Sequence, residues 1–150
     1  MTLENLLAIH RLQAFEATPD GVLRLLASAE RNLADARLSK LSNDNRFDAA
    51  YKTIMQCAMV GLWANGYRTA TSQPGHHQTA LQALPKTLGT AADTVIVLDA
   101  LRKQRNLNDY EGDPVTDAAV RECLAQAEAL LTHTRQWLQR HRADLLSENE

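Results

Sequence analysis

No apolar run in this chain approaches the roughly 20 residues that would span a bilayer. The opening Met-Thr-Leu-Glu-Asn-Leu-Leu has neither the basic stretch nor the long apolar segment of an export signal, so none is expected. Cysteine is scarce, with Cys57 and Cys123 the only two. They lack metal-ligand spacing, sit among apolar neighbours, and read as buried thiols in a reducing, cytoplasmic setting. An excess of one charge is also missing. Lys and Arg number 16, Asp and Glu 18, and the formal net charge is −2. That argues against bulk attraction to nucleic acid and leaves room only for a local basic patch. There is no phosphate-binding glycine loop, nucleophile elbow or zinc signature, so neither metal nor cofactor is expected. Four prolines and six glycines fall mostly between periodic segments, and no alternating strand pattern persists.

What remains is helical periodicity, in a chain of 150 residues that suits one domain with a real core. A short first helix is expected over about residues 3–15. Thr18-Pro19-Asp20-Gly21 is a start signal: Thr18 can cap, Pro19 suits the first helical position, and Asp20 favours the positive end of the dipole. The helix that follows runs to about Leu38, with Val22, Leu25, Leu26, Ala29, Leu33 and Ala36 as its apolar stripe. After the polar Ser42-Asn43-Asp44-Asn45, a helix from about Arg46 to Ala64 buries Phe47, Ala50, Tyr51, Ile54, Ala58 and Leu62. Gly66 stops it, and Tyr67–Pro74 reads as a loop. Gly75-His76-His77 opens a shorter helix ending near Leu84-Pro85. Thr90 can cap the next helix, which ends at Gly112-Asp113-Pro114. Thr116 can cap a last long helix over about 117–141, with Val120, Leu124, Ala127, Leu131, Thr134 and Leu138 on one face. Residues 143–150 are expected to fray. The expected fold is all-α, an up-and-down bundle of about five helices in a single domain with its core over about 20–142.

The most informative stretch is Leu101–Gly112, Leu-Arg-Lys-Gln-Arg-Asn-Leu-Asn-Asp-Tyr-Glu-Gly. Ala91, Val95, Leu98 and Leu101 form an apolar face, and one turn further that face arrives at Arg105. An arginine therefore stands where the pattern expects a buried or half-buried side chain, and a desolvated guanidinium needs partners. Arg102, Arg105, Asn106 and Asp109 keep helical spacing, and Tyr110 lies four after Asn106. Arginine suits a planar anion such as phosphate. Arg102 and Arg105 are thus candidate RNA-binding residues, and Arg105, Asn106 and Tyr110 candidate catalytic ones. RNA cleavage by the substrate's own 2′-hydroxyl needs charge stabilisation and proton transfer but no metal. Tyr110, with an ordinary pKa of about 10, is a poor base near neutrality. The plainer reading is a cationic helix end facing the negative dipole, with Asp109 paired to Arg102 or Arg105.

His76 and His77 are adjacent and have no third ligand, so they make no metal site. They could supply an imidazole if the fold brings them to Arg105; exposed or capping roles are the alternative. Asp48 reads as a dipole-favoured acid at a helix start that could also reach the arginines. His10 and His141 have no constellation, and His133 reads as a surface residue. Trp63 and Trp137 read as core or interface residues. Gly61, inside a helix, is explained by close helix–helix approach.

Arg105-Asn106-Leu107-Asn108-Asp109-Tyr110 resembles the signature of HEPN proteins, small all-helical domains of prokaryotic toxin–antitoxin and defence systems. In that family an arginine, usually followed by a polar residue such as asparagine, precedes a histidine by a few residues. Arg105 and Asn106 match the first two; Tyr110 stands at the histidine position. The motif at the end of the penultimate helix also matches, and Gly66-Tyr67-Arg68 with Pro74-Gly75-His76-His77 is similar to some members. The resemblance spans about residues 20–142. It implies a metal-independent endoribonuclease, with RNA as substrate and a composite site across a homodimer. It also implies, for a toxin, a nucleotidyltransferase-type antitoxin as partner. Other members have lost catalysis and serve as binding modules. Tyr110 at the histidine position keeps both outcomes open, with Asp109, His76, His77 and Asp48 as accessory candidates.

Overall fold

The computed structural model describes residues 1–147. The chain is mostly helical: α1 (Leu3–Ala8), α2 (Pro19–Ala36), α3 (Asn43–Ala64), α4 (His76–Gln82), α5 (Leu84–Thr87), α6 (Ala92–Glu111) and α7 (Asp117–His141). A 3₁₀ turn over Ala143–Leu146 follows. The expectation of helices throughout fails in one place. Leu12–Ala14 (β1) and Tyr67–Thr69 (β2) pair antiparallel, Leu12 opposite Thr69 and Ala14 opposite Tyr67. The first helix therefore ends at Ala8, not near residue 15, and the expected 67–74 loop begins with a strand. Three-residue strands are too short to show alternation, so periodicity could not reveal them.

Three helices carry the core. The stripe of α2 buries Val22, Leu26, Ala29, Leu33 and Ala36, with Leu25 half-buried at its margin. Thr18 caps it by accepting from the Gly21 amide at 3.1 Å. α3 is buried on nearly every side: Phe47, Ala50, Tyr51, Thr53, Ile54, Cys57, Ala58, Val60 and Leu62 are all inside. A helix apolar around its circumference must be central, and α3 packs on both α2 and α7. α7 presents one buried stripe: Val120, Cys123, Ala127, Leu130, Leu131, Thr134 and Leu138. Hydrogen bonds fix the α2–α3 pairing. Thr53 Oγ1 donates to the Ala29 carbonyl at 2.9 Å, and Gln56 bridges Ser28 and Asn32 at 2.9 Å each. Ser42 Oγ accepts from the Asn45 amide, so α3 starts at Asn43, three residues before the expected Arg46.

Other expectations are also corrected. Thr90 does not cap α6; Ala91 holds that position and the buried Thr90 hydroxyl has no hydrogen-bond partner among the described residues. His133 is not a free surface residue, because its Nε2 lies 2.6 Å from the Leu88 carbonyl. The region 143–150 is not wholly a frayed tail. Leu145 is buried, and Arg142 Nη1 donates to the Ala64 carbonyl at 2.6 Å, satisfying the end of α3. Residues 148–150 lie outside the described part.

Gly61 fits its expected role. A Cβ there would sit 2.9 Å from Leu88 Cγ and 2.9 Å from Thr87 Oγ1, both on buried residues. Alanine gains about 1 kcal/mol of helix propensity, but the overpacking costs about 1–3 kcal/mol. Gly61→Ala is therefore expected to lose about 1 kcal/mol net, seen as a lower denaturant midpoint at unchanged slope.

Candidate functional site

The end of α6 reaches the rest of the molecule through a polar clamp. Gly112, at φ 73°, ends the helix in the left-handed region that glycine tolerates. The connection to α7 is then tied to the start of α3. Asn43 Nδ2 donates to the Val115 carbonyl at 3.1 Å and to Asp117 Oδ1 at 2.8 Å, and the Val115 amide donates to Asp44 Oδ1 at 3.3 Å. These bonds hold the last turns of α6 against the first turns of α3.

Arg105 occupies the place its spacing foretold. Leu98 and Leu101 are buried, and Arg105 continues their face, half-buried. Its Nε donates to Asp48 Oδ1 at 3.2 Å, and Asp109 lies 3.7 Å away. The guanidinium stands over the Tyr51 ring at 5.1 Å from the centroid. Arg102 Nε donates to Asp99 Oδ1 at 2.8 Å, with both side chains less than a fifth exposed. The hydrogen bond from Arg102 holds the Asp99 carboxyl below its usual range, against the opposing effect of burial. Lys103 and Lys52 complete the network, on Asp99 at 3.5 Å and Asp48 at 3.8 Å.

Tyr51 and His77 join this network from the other side. The Tyr51 hydroxyl lies 3.2 Å from His77 Nδ1, and the rings of His76 and His77 meet edge-on at 4.7 Å. Burial pushes the Tyr51 hydroxyl up to about 12, although Arg105 and Arg102 pull it down. Burial also lowers the His77 pKa from 6.5, and His76, Arg105 and Arg102 add to the effect in that order. His76 and His77 are half-buried, so an exposed or merely capping role does not describe them. Asp48 is no cap either: it sits in the second turn of α3 and holds Arg105.

The structure thus brings together Arg102, Arg105, Asp48, Asp109, Tyr51 and His77. It does not bring Asn106 and Tyr110 to Arg105. Asn106 is exposed and Tyr110 is 86% exposed. The reason is angular: five residues on an α-helix are about 140° apart around the axis, so Arg105 and Tyr110 leave different sides. Sequence reasoning assigned Tyr51 to the core, which is true of its ring, and missed its hydroxyl. The signal was present: a buried tyrosine in an otherwise apolar stripe needs a hydrogen-bond partner. No group of acidic, histidine or cysteine side chains among the described residues could hold a metal ion.

One pH effect follows. Because His77 is depressed in the folded chain, the unfolded chain takes its proton first as pH falls below about 6.5. The stability it contributes is full above that pH and declines below it, towards the folded pKa. The melting temperature is expected to drop on acidification through this window, with a shallower slope in His77→Gln.

The fold and site define a mostly helical chain with a half-buried arginine cluster at the junction of two helices. Comparison goes no further: no family model, curated protein or solved structure shows a match to the chain.

Proposed function

We propose that this protein is a HEPN-like, metal-independent endoribonuclease of a toxin–antitoxin or defence system, acting in the cytoplasm. Arg105 binds and stabilises the scissile phosphate, and Arg102 assists. The observation that carries this reading is the position of Arg105. It is a permanent cation on the apolar face of α6, held ready by Asp48 and the Tyr51 ring. In that setting the charge is screened less than on an open surface. Asn106 and Tyr110, turned outward, serve RNA only if a second surface meets them. That is the arrangement of a homodimer with a composite site. The outer side of α6, away from Arg105, offers an apolar surface for such a partner, since Ile96 is 70%, Leu107 43% and Tyr110 86% exposed. A nucleotidyltransferase-type antitoxin is the partner this reading implies.

The second reading is a catalytically inactive binding module that partners a nucleotidyltransferase or another protein. The ion pairing favours it: both arginines are already matched by carboxylates of the same chain. Incubating the purified protein with total RNA in excess chelator decides. Cleavage supports the nuclease, and a clean wild type that cleaves nothing moves the conclusion to the binding module.

A further inference from the structure

Tyr51 is 1% exposed, and its hydroxyl has one partner among the described residues, His77 Nδ1. A buried O–H needs an acceptor. Tyr51 keeps its proton across the neutral range, and the tautomer that satisfies this buried O–H is the one in which Nδ1 accepts it and Nε2 carries the His77 proton. Nε2, across the ring, has no hydrogen-bond partner among the described residues. A half-buried N–H donor therefore stands open on a ring that Tyr51 ties to Arg105, whose guanidinium lies 5.1 Å from the Tyr51 ring centroid.

The charge balance around it is close. Lys52, Arg102, Lys103 and Arg105 share the carboxylates of Asp48, Asp99 and Asp109. Four cations against three anions leave one excess positive charge. Of other titratable groups, Tyr51 on α3 and His76 on its own helix meet the His77 ring, and Arg11 donates to the Pro74 carbonyl just before that helix at 3.1 Å. No carboxylate is hydrogen-bonded to His77. Protonating His77 puts the second proton on Nδ1, where the Tyr51 hydroxyl turns from donor to acceptor, and raises the network's excess from one charge to two, which an incoming anion would offset.

We propose that His77 is the acid-sensing third member of the Arg102–Arg105 site: its Nε2 binds a phosphodiester oxygen, and its protonation tightens that binding. The inference rests on the phosphate-binding reading of the two arginines but requires no cleavage. Tyr51 is the positioning residue, since its hydroxyl decides which ring nitrogen is free. Linkage makes the effect reciprocal, so a bound phosphodiester raises the pKa of His77. Doubling the excess charge beside a partly desolvated anion is expected to tighten binding about tenfold from about pH 7.5 to 5.5 at low salt, and less at high salt.

The test is fluorescence anisotropy of a labelled 2′-O-methyl RNA oligonucleotide, which presents an RNA backbone but has no 2′-hydroxyl to react. It is run over the pH range in which circular dichroism shows the chain folded. Wild type is expected to tighten about tenfold on acidification. His77→Gln keeps a side-chain N–H but cannot titrate, so its affinity is expected to stay flat with pH. Arg105→Ala is expected to lose binding throughout. In proton NMR, the His77 ring signal, identified by its loss in His77→Gln, should titrate at higher pH with the oligonucleotide bound. Tightening in wild type that persists unchanged in His77→Gln overturns the inference and leaves the arginine site standing. No binding at any pH overturns both. Acid-tightened binding through His77, in a protein that cleaves no RNA, upholds the inference and removes the nuclease reading alone.

Discussion

On the proposed nuclease reading, RNA cleavage in chelator is expected to fall by about 10²–10³-fold in Arg105→Ala, the usual cost of removing one donor aimed at developing charge. The size of the loss depends on where Arg105 stands. A guanidinium on an open helix face would be worth little, because water and salt screen it. Here the side chain is 28% exposed and backed by the Tyr51 ring. The same geometry keeps the variant folded. The ion pair with Asp48 is partly exposed, and Asp48 keeps Lys52 at 3.8 Å when the arginine is gone. After discounting for solvent, that pair contributes about 0–1 kcal/mol, and the contact with Tyr51 about as much. The melting temperature should therefore shift by only a few degrees while cleavage collapses. A parallel loss of both would mean that Arg105 is structural. Tyr110→Phe is the natural companion, since an outward hydroxyl contributes only if a second subunit meets it.

Ile54→Ala is expected to have the largest effect on stability, about 3–4 kcal/mol. Ile54 is fully buried in the middle of α3, the helix that packs on both α2 and α7. The loss has two parts: the transfer free energy of the deleted methyl and methylene groups, and the cavity they leave. Neighbours cannot close that space easily, because Thr53 is tied to the Ala29 carbonyl and Gln56 to Ser28 and Asn32. Urea unfolding should show a much lower midpoint at similar slope. A cost below about 1 kcal/mol would mean that the α2–α3–α7 core repacks freely, contrary to these bonds.

Most of the helical frame was legible in the residues. Most positions of the α2, α3 and α7 stripes are buried as their spacing foretold, with Leu25 and Leu124 half-buried, and Thr18 and Thr116 each accept the expected capping bond. Cys57 and Cys123 are buried thiols, as their apolar neighbours implied. Arg105 could be singled out because a charged residue interrupts an apolar period, which is a local signal. The errors share a different cause. The β1–β2 pair joins residues about fifty apart in sequence, and each strand is too short to carry a pattern. Leu145 docks onto the bundle through long-range contacts that no local feature of the tail announces.

The sequence by itself determined the helices, their buried faces and the arginine that breaks one of them, because periodicity and capping act within a few residues of the chain. Only the tertiary structure decided which side chains that arginine meets. Asp48, Tyr51 and His77 come from two other helices, and bonds from Asn43 and Asp44 to Val115 and Asp117 tie the first of these to the connection that follows α6. The structure also separated Tyr110 from Arg105, because proximity along a helix does not fix direction around it. Partners across a fold are set by packing and loop closure, and neither leaves a short-range trace in the order of residues.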